Sequence, residues 1–374
     1  MAISRRSVLK GTAAASAAVA APAILKASDA LASSGQVNVF AWGDYIKDNM
    51  IKKFEGDTGI KINLSTFGSN DEAEQKLKAA GGKGFDVIFP SITNGANYYP
   101  DGLLAPLDEN KLKVDAIVPS MMRDSVKLGG TYRGKRMLLP FDWGTEAITF
   151  DSTVFALSDD EVSFGSLWTP EAKGKAAFRQ KSAIMGTGLY LDSIGKLKSD
   201  RMLDVYKTED DARRVWDEVA KFIIEQKSNI AAFWNNATEA TNAFKQAGAS
   251  IGQTWDTTGL LFNREDEKWK YRMPKEGGMT WMDSMGMPSG AENTEQGYAL
   301  INAMLDPEMA GMFAANTGYN SAVVGAANHA GETYKKQFME VYNSDNLANL
   351  WWWQSETPWF ATVRQEYVDR ITNA

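Results

Sequence analysis

The sequence predicts an α/β fold of two lobes, each a mainly parallel sheet flanked by helices. Three observations predict it. The chain has 374 residues, too many for one small core and suited to two packed lobes. Its early residues alternate strand and helix patterns, which implies a parallel sheet with right-handed crossovers. And the stretch Met137 to Phe150 carries two β-like runs around Asp142-Trp143-Gly144-Thr145 and reads as a passage from one lobe to the other.

The elements follow in order. Val37 to Trp42 reads as a first strand, Lys47 to Thr58 as a helix with apolar Met50, Ile51 and Phe54, ending near Gly59. Ile60 to Phe67 alternates as a second strand, Asn70 to Ala80 is a helix stopped by Gly81-Gly82, and Phe85 to Pro90 is a short buried strand. In such sheets ligands sit at the carboxyl ends of the strands. Those ends are the Trp42 to Tyr45 turn and the Pro90-Ser91 turn. Thr208 to Gln226 is an amphipathic helix with Val215, Val219, Phe222 and Ile223 on one face. Glu239 to Ala247 is another, and Ala249 to Trp255 is a strand expected to run back to the first lobe. Trp281 to Met287 and Thr294 to Leu305 are a further strand and helix. The expected division is 33–142 plus 257–305 for the first lobe and 143–256 plus 306–374 for the second.

Residues 1–32 read as an address. Ser4-Arg5-Arg6-Ser7-Val8-Leu9-Lys10 resembles the twin-arginine export motif, with Val8 where Phe is usual. An Ala-rich apolar stretch from Gly11 to Leu25 follows, too short and too weakly apolar to span a bilayer. Ala30-Leu31-Ala32 fits a small-x-small cleavage site. Removing this segment, with four basic residues and one acidic, takes the net charge from −7 to −10. An acidic surface disfavours nucleic acid and suits cations. Twin-arginine export carries folded protein, so a periplasm is the expected destination.

Composition excludes much chemistry. At 44% hydrophobic and 23% charged residues the chain is an ordinary soluble globule. It has no cysteine, hence no disulfide, thiolate metal site or Cys nucleophile. His329 is its one histidine, expected on a surface or loop, so a multi-His metal site is impossible. There is no nucleophile motif and no cofactor loop, so no cofactor, no metal and no enzymatic activity is expected. An acid/base set of Asp44, Asp256 and Asp283 in a periplasmic hydrolase is the remote alternative.

Several segments, in order, resemble the periplasmic spermidine/putrescine-binding family: Val39-Phe40-Ala41-Trp42-Gly43-Asp44-Tyr45-Ile46, Phe54 to Lys61, Gly84-Phe85-Asp86-Val87-Ile88-Phe89-Pro90-Ser91, Leu139 to Thr145, Pro274 to Gly278, and Trp281-Met282-Asp283 leading to Met287-Pro288. The resemblance spans nearly all of the chain after residue 32. It implies a two-lobed periplasmic-binding-protein fold that closes on its ligand in the interlobe cleft, and a monomer serving the membrane permease of an ABC importer.

A polyamine needs carboxylates at its ammonium groups, because a buried cation is costly unless paired, and aromatic walls for its methylenes and charge. The resemblance places Trp42 and Tyr45 on the ligand and Asp44 at an ammonium, with a core role for Trp42 the alternative. Asp256 and Asp283 match acidic ligand positions, and Trp281 and Tyr319 aromatic ones. Trp281 and Asp283, two apart, share one strand face. Ser91 either hydrogen-bonds the ligand or caps a helix. Trp143 lines the cleft or braces the hinge. Gln253 stands where the family has a Trp, and Trp255 is expected to point elsewhere. Trp351-Trp352-Trp353 and Trp359 read as packing of the C-terminal segment, and the Tyr98-Tyr99 pair as a remote candidate for ferric iron.

The family's distal acidic stretch corresponds here to Phe178-Arg179-Gln180-Lys181-Ser182-Ala183-Ile184-Met185, with two cations and no carboxylate. Arg179 or Lys181 suits a ligand carboxylate. The ligand is therefore expected to be a polyamine or related amine, or else a zwitterion such as an opine or amino acid, or a sugar-like solute.

Overall fold

The computed structural model describes residues 35–374. The export segment, 1–32, lies outside the described residues. The first lobe opens with β1 (Gln36–Trp42), α1 (Asp48–Thr58), β2 (Lys61–Phe67), α2 (Asn70–Ala79) and β3 (Val87–Ile88). Both neighbours of β1 are parallel to it. Local chemistry sets the joints. Gly59 ends α1 at φ 71°, a left-handed conformation that glycine adopts without a Cβ clash. Ser69 caps α2 by accepting from the Glu72 amide, while Glu72 Oε2 accepts the Gly68 amide.

The passage predicted at Met137 to Phe150 is one strand, β4 (Leu138–Asp151), buried along its whole length. Beyond it come β5 (Ala176–Arg179), α3 (Gln180–Ser193), α4 (Glu209–Glu225), β6 (Ile230–Trp234), α5 (Ala237–Lys245), β7 (Ile251–Trp255), α6 (Asp256–Glu265) and β8 (Trp269–Arg272). Then follow β9 (Met279–Pro288), α7 (Thr294–Met304), α8 (Pro307–Thr317), β10 (Asn320–Ser321), α9 (Glu332–Val341), β11 (Trp351–Trp352) and α10 (Pro358–Thr372). The main hydrogen-bonded order is β2-β1-β3-β9-β4-β7-β5-β6. The lobes' sheets are therefore continuous, because β4 and β9 pair antiparallel across the middle. On the second-lobe side β7, β5 and β6 are mutually parallel neighbours.

Helix α4 illustrates how the second core forms. Thr208 accepts from the Asp211 amide, and acidic Glu209, Asp210 and Asp211 complement the helix N-terminus. Val215, Trp216, Val219 and Ile223 recur at helical spacing and are buried against Phe360 and Tyr367 of α10.

Two expectations are corrected. Strand β7 does not return to the first lobe: it pairs with β4 from Glu146 to Phe150 and with β5. The expected lobe division also shifts. Leu260 and Phe262, expected in the first lobe, pack with second-lobe side chains such as Tyr271 and Trp234. Met309, Phe313 and Val323, expected in the second, pack with Val37, Tyr45 and Phe141. Apolar faces choose the nearest core, so the later crossings fall further along the chain than the sequence pattern indicates.

Candidate functional site

A cavity of about 340 Å³ lies between the lobes, lined by both. Its first-lobe wall is the carboxyl ends of parallel strands. Trp42 closes β1, and a turn held by the Tyr45 amide on the Trp42 carbonyl at 3.2 Å presents Asp44 and Tyr45. Phe67 closes β2 and packs on Trp42, ring centroids 4.8 Å apart. Trp281 and Asp283 project from β9 into the cavity, as their spacing predicts. Tyr319 stands edge-on to Trp281 at 5.0 Å. Ser91 pairs with Asp283 in an isolated antiparallel bridge. It makes no capping bond; its Oγ accepts from Asn70 Nδ2 at 2.9 Å.

The same wall is acidic at depth. The Tyr45 hydroxyl donates to Asp283 Oδ2 at 2.5 Å, and Asp142 lies opposite Asp283 in the strand register. Burial pushes Asp44, Asp142 and Asp283 above the usual carboxylate range, and for Asp142 the charge of Asp283 adds to it. Asp256 is pushed up to about 7 by burial, against hydrogen bonds from Tyr342 and the Thr145 amide.

The second-lobe wall comes from Arg179 at the end of β5, Lys181 in α3, Asn236, Ala237 and Thr238 at the start of α5, and Trp255 at the end of β7. The helix N-termini there favour negative charge. Arg179 lies over the Trp255 ring at 4.7 Å and ion-pairs with buried Glu146, which also accepts from Ser182 Oγ and, at 3.0 Å, Gln253 Nε2. Lys181 Nζ meets Glu356 Oε1 at 3.0 Å, and Arg364 Nη1 meets the same oxygen at 2.6 Å.

Seven of the ten candidates thus gather at the cavity: Trp42, Asp44, Tyr45, Ser91, Trp281, Asp283 and Tyr319. Three do not line it. Trp143 packs against Tyr342 at 5.1 Å in a separate core. Gln253 is wholly buried beneath Arg179, holding Glu146. Asp256 is wholly buried behind Trp281; a Cβ built on Gly144 falls 3.0 Å from its Oδ2 and 2.3 Å from Trp281 Cζ2.

Sequence reasoning missed others. Trp255 lines the cavity because the strand ends there and the chain turns into α6, so strand alternation no longer sets its direction. Trp353 lines it too. Its segment is extended, not helical, so Trp351 and Trp353, two positions apart with ring centroids at 5.4 Å, share one face; both pack in the second-lobe core, and Trp353 also borders the cavity. The distal side has carboxylates after all, brought from remote parts of the chain: Glu356 lines the cavity, and Glu146 is buried behind it on Arg179. Glu146 directly follows the Leu139 to Thr145 motif, so an acid in the middle of a largely apolar strand was the available signal. Tyr98 and Tyr99 are buried in the first-lobe core, and the Tyr99 hydroxyl donates to the Gly129 carbonyl. His329 is exposed.

Two lobes meeting around a cavity of aromatic rings and carboxyls define a receptor for a small solute. Residues 49–339 match the bacterial extracellular solute-binding protein family, and residues 2–22 the twin-arginine translocation signal sequence. The chain belongs to that family of bacterial extracellular solute-binding proteins, and it is exported to the periplasm. It is 26% identical over 350 residues to spermidine/putrescine-binding periplasmic protein 1 of Haemophilus influenzae, covering 92% of this chain and 90% of that one. It is 24% identical over 334 residues to the spermidine/putrescine-binding periplasmic protein of Escherichia coli K12, covering 89% and 90%. The fold matches the crystal structure of a spermidine/putrescine ABC transporter substrate-binding protein from Streptococcus pneumoniae. There the TM-score is 0.73 at 23% identity, over 91% of this chain and 99% of that one. The resemblance read from the ordered motifs is thereby borne out.

Proposed function

We propose that this protein is the soluble receptor of an ABC importer and binds a polyamine, putrescine or spermidine, or a closely related linear amine. The observation that carries this reading is the first-lobe wall. Asp283 and Asp44 face the cavity beside Trp42, Trp281 and Tyr319, with Asp142 and Asp256 behind them. None of these four carboxyls is in ion-pair contact with a Lys or Arg among the described residues. Such a wall is short of positive charge until an ammonium arrives, and the rings cover methylenes and attract the cation. The volume is at the lower end of the range of about 300–1,000 Å³ for small-molecule sites, which suits a compact linear chain. On this reading the protein binds without chemical turnover, works as a monomer and docks on a membrane permease. Its lobes are roughly 35–142 with 285–326, and 143–279 with 351–374.

One observation favours a second reading, a zwitterionic solute such as an opine or amino acid. Arg179, Lys181 and two helix N-termini face the carboxyls from the opposite wall. Isothermal titration of the mature protein against putrescine, spermidine, and a panel of amino acids and opines separates the two. Saturable polyamine binding is expected. Failure of every polyamine to bind more tightly than about 1 mM, some −4 kcal/mol, overturns the first reading, and binding of a zwitterion alone establishes the second.

A further inference from the structure

Asp142 has no exposed surface, and neither of its carboxylate oxygens makes a well-formed hydrogen bond among the described residues; the Tyr45 hydroxyl, bonded to Asp283, is the nearby donor that steadies its charge. It is directly opposite Asp283 in the antiparallel register of β4 and β9. Opposed side chains in such a pair share one face, with Cβ atoms about 4.5–5.5 Å apart. Asp283 is itself 3% exposed and lines the cavity, with the Tyr45 and Ser91 hydroxyls the donors beside its carboxyl. Two carboxylates so placed cannot both ionise without counter-charge.

The surroundings provide none. Asp44 and Tyr45 face the pair from the β1–α1 turn, Ser91 from the bridge, Tyr319 from the turn before β10, and Asp256 from the start of α6. Arg179 is the one cation whose field reaches Asp283, and it is engaged by Glu146. The pair must therefore hold a proton when the cavity is empty.

We infer that Asp142 tunes ligand binding through Asp283, and that the Asp142–Asp283 pair gives up a shared proton when a ligand ammonium group docks at Asp283. The ammonium keeps its own protons. One carboxyl O–H bond breaks, the proton passes to solvent, and the pair goes from one negative charge to two as one positive charge arrives. A neutral solute of equal size cannot drive this exchange, so the pair selects for cations. The inference rests on the amine reading of the site.

Burial raises both carboxyls, in agreement with the geometry. The sign follows: raised acids are protonated at low pH, so amine affinity falls as pH falls. The slope approaches about tenfold per pH unit where one proton is displaced.

Two measurements test it. In ligand-free protein with 13C-labelled aspartate carboxyls, the pair should titrate in two coupled steps above the ordinary carboxylate range, and Asp142→Asn should collapse them to one. In putrescine calorimetry at pH 7 in buffers of different ionisation heat, close to one proton should be released per amine bound. Asp142→Asn should abolish the release and weaken binding about tenfold at pH 8. This variant removes a buried ionisable group at constant shape, so it is expected to fold; an unchanged or raised Tm verifies that. Putrescine binding without proton release overturns the inference and leaves the amine reading standing. Ordinary carboxylate titration in the ligand-free protein overturns it whatever the ligand. If no amine binds while the raised titration persists, the amine reading fails and the exchange fails with it, leaving a singly protonated acid pair.

Discussion

On the first-lobe wall of the cavity, Asp44 and Asp283 are backed by Asp142 and Asp256, and none of the four makes an ion pair among the described residues, although the charge of Lys47 reaches Asp44 and that of Arg179 reaches Asp283. On the second-lobe wall, Arg179 is closed onto Glu146, and Lys181 shares Glu356 with Arg364. Both walls bury charge, yet only the second neutralises it internally. Burial pushes Glu356 upward, but Arg364 and Lys181 outweigh it and hold it down at about 2. Desolvation lowers Lys181, with Arg364 adding to that and Glu356 opposing it. The difference teaches which wall waits for the ligand's charge and which supplies fixed shape and polarity.

The largest expected effect breaks the unpaired wall. Asp283→Ala should weaken amine binding by about 3 kcal/mol, roughly a hundredfold in Kd by calorimetry. Retained affinity would place the cation elsewhere.

Breaking the paired wall should show first in stability. Glu356→Ala strands Lys181 and Arg364 and should cost about 3 kcal/mol in denaturant unfolding. Because Glu356 is depressed in the folded protein, its contribution is present above its ordinary value of 4.5 and is lost as pH falls toward about 2. The stability gap between wild type and Glu356→Gln should therefore close below pH 4.5. A gap that is independent of pH would mean the ion triad is not its source.

Gly144→Ala sharpens the comparison at a smaller scale. Its Cβ would sit 2.3 Å from Trp281 Cζ2, so the indole must shift off the acidic wall. Overpacking of this kind costs about 1–3 kcal/mol, and affinity should drop about tenfold. Thr238→Ala on the paired wall, at the exposed start of α5, should change binding and stability by no more than about 0.5 kcal/mol. A larger effect would give that wall a direct role in recognition.

Much of this was legible in the sequence for a physical reason. Period-two and helical patterns report which side chains face a core, so β1 to β3, α4 and β9 fell where the patterns put them. The strand-end rule then brought Trp42, Asp44, Tyr45 and Ser91 to the cavity. What pattern does not carry is contact between distant segments. Glu146 belongs to a strand whose residues are all buried, which hides the alternation that would mark its face. Glu356 meets Lys181 across 175 positions of sequence. Trp255 and Asp256 were misplaced together, because a strand that ends and turns into a helix swaps which of two neighbours faces the cavity.

The late position of Trp353 and Glu356 has a consequence for biogenesis. Both residues border the cavity, and α10 after them fills the second core with Phe360, Val363, Tyr367 and Ile371. A nascent chain cannot complete the receptor until those last residues have left the ribosome. The twin-arginine route moves cargo that is already folded, so what crosses the membrane is a finished receptor and not a chain still waiting for its closing segment.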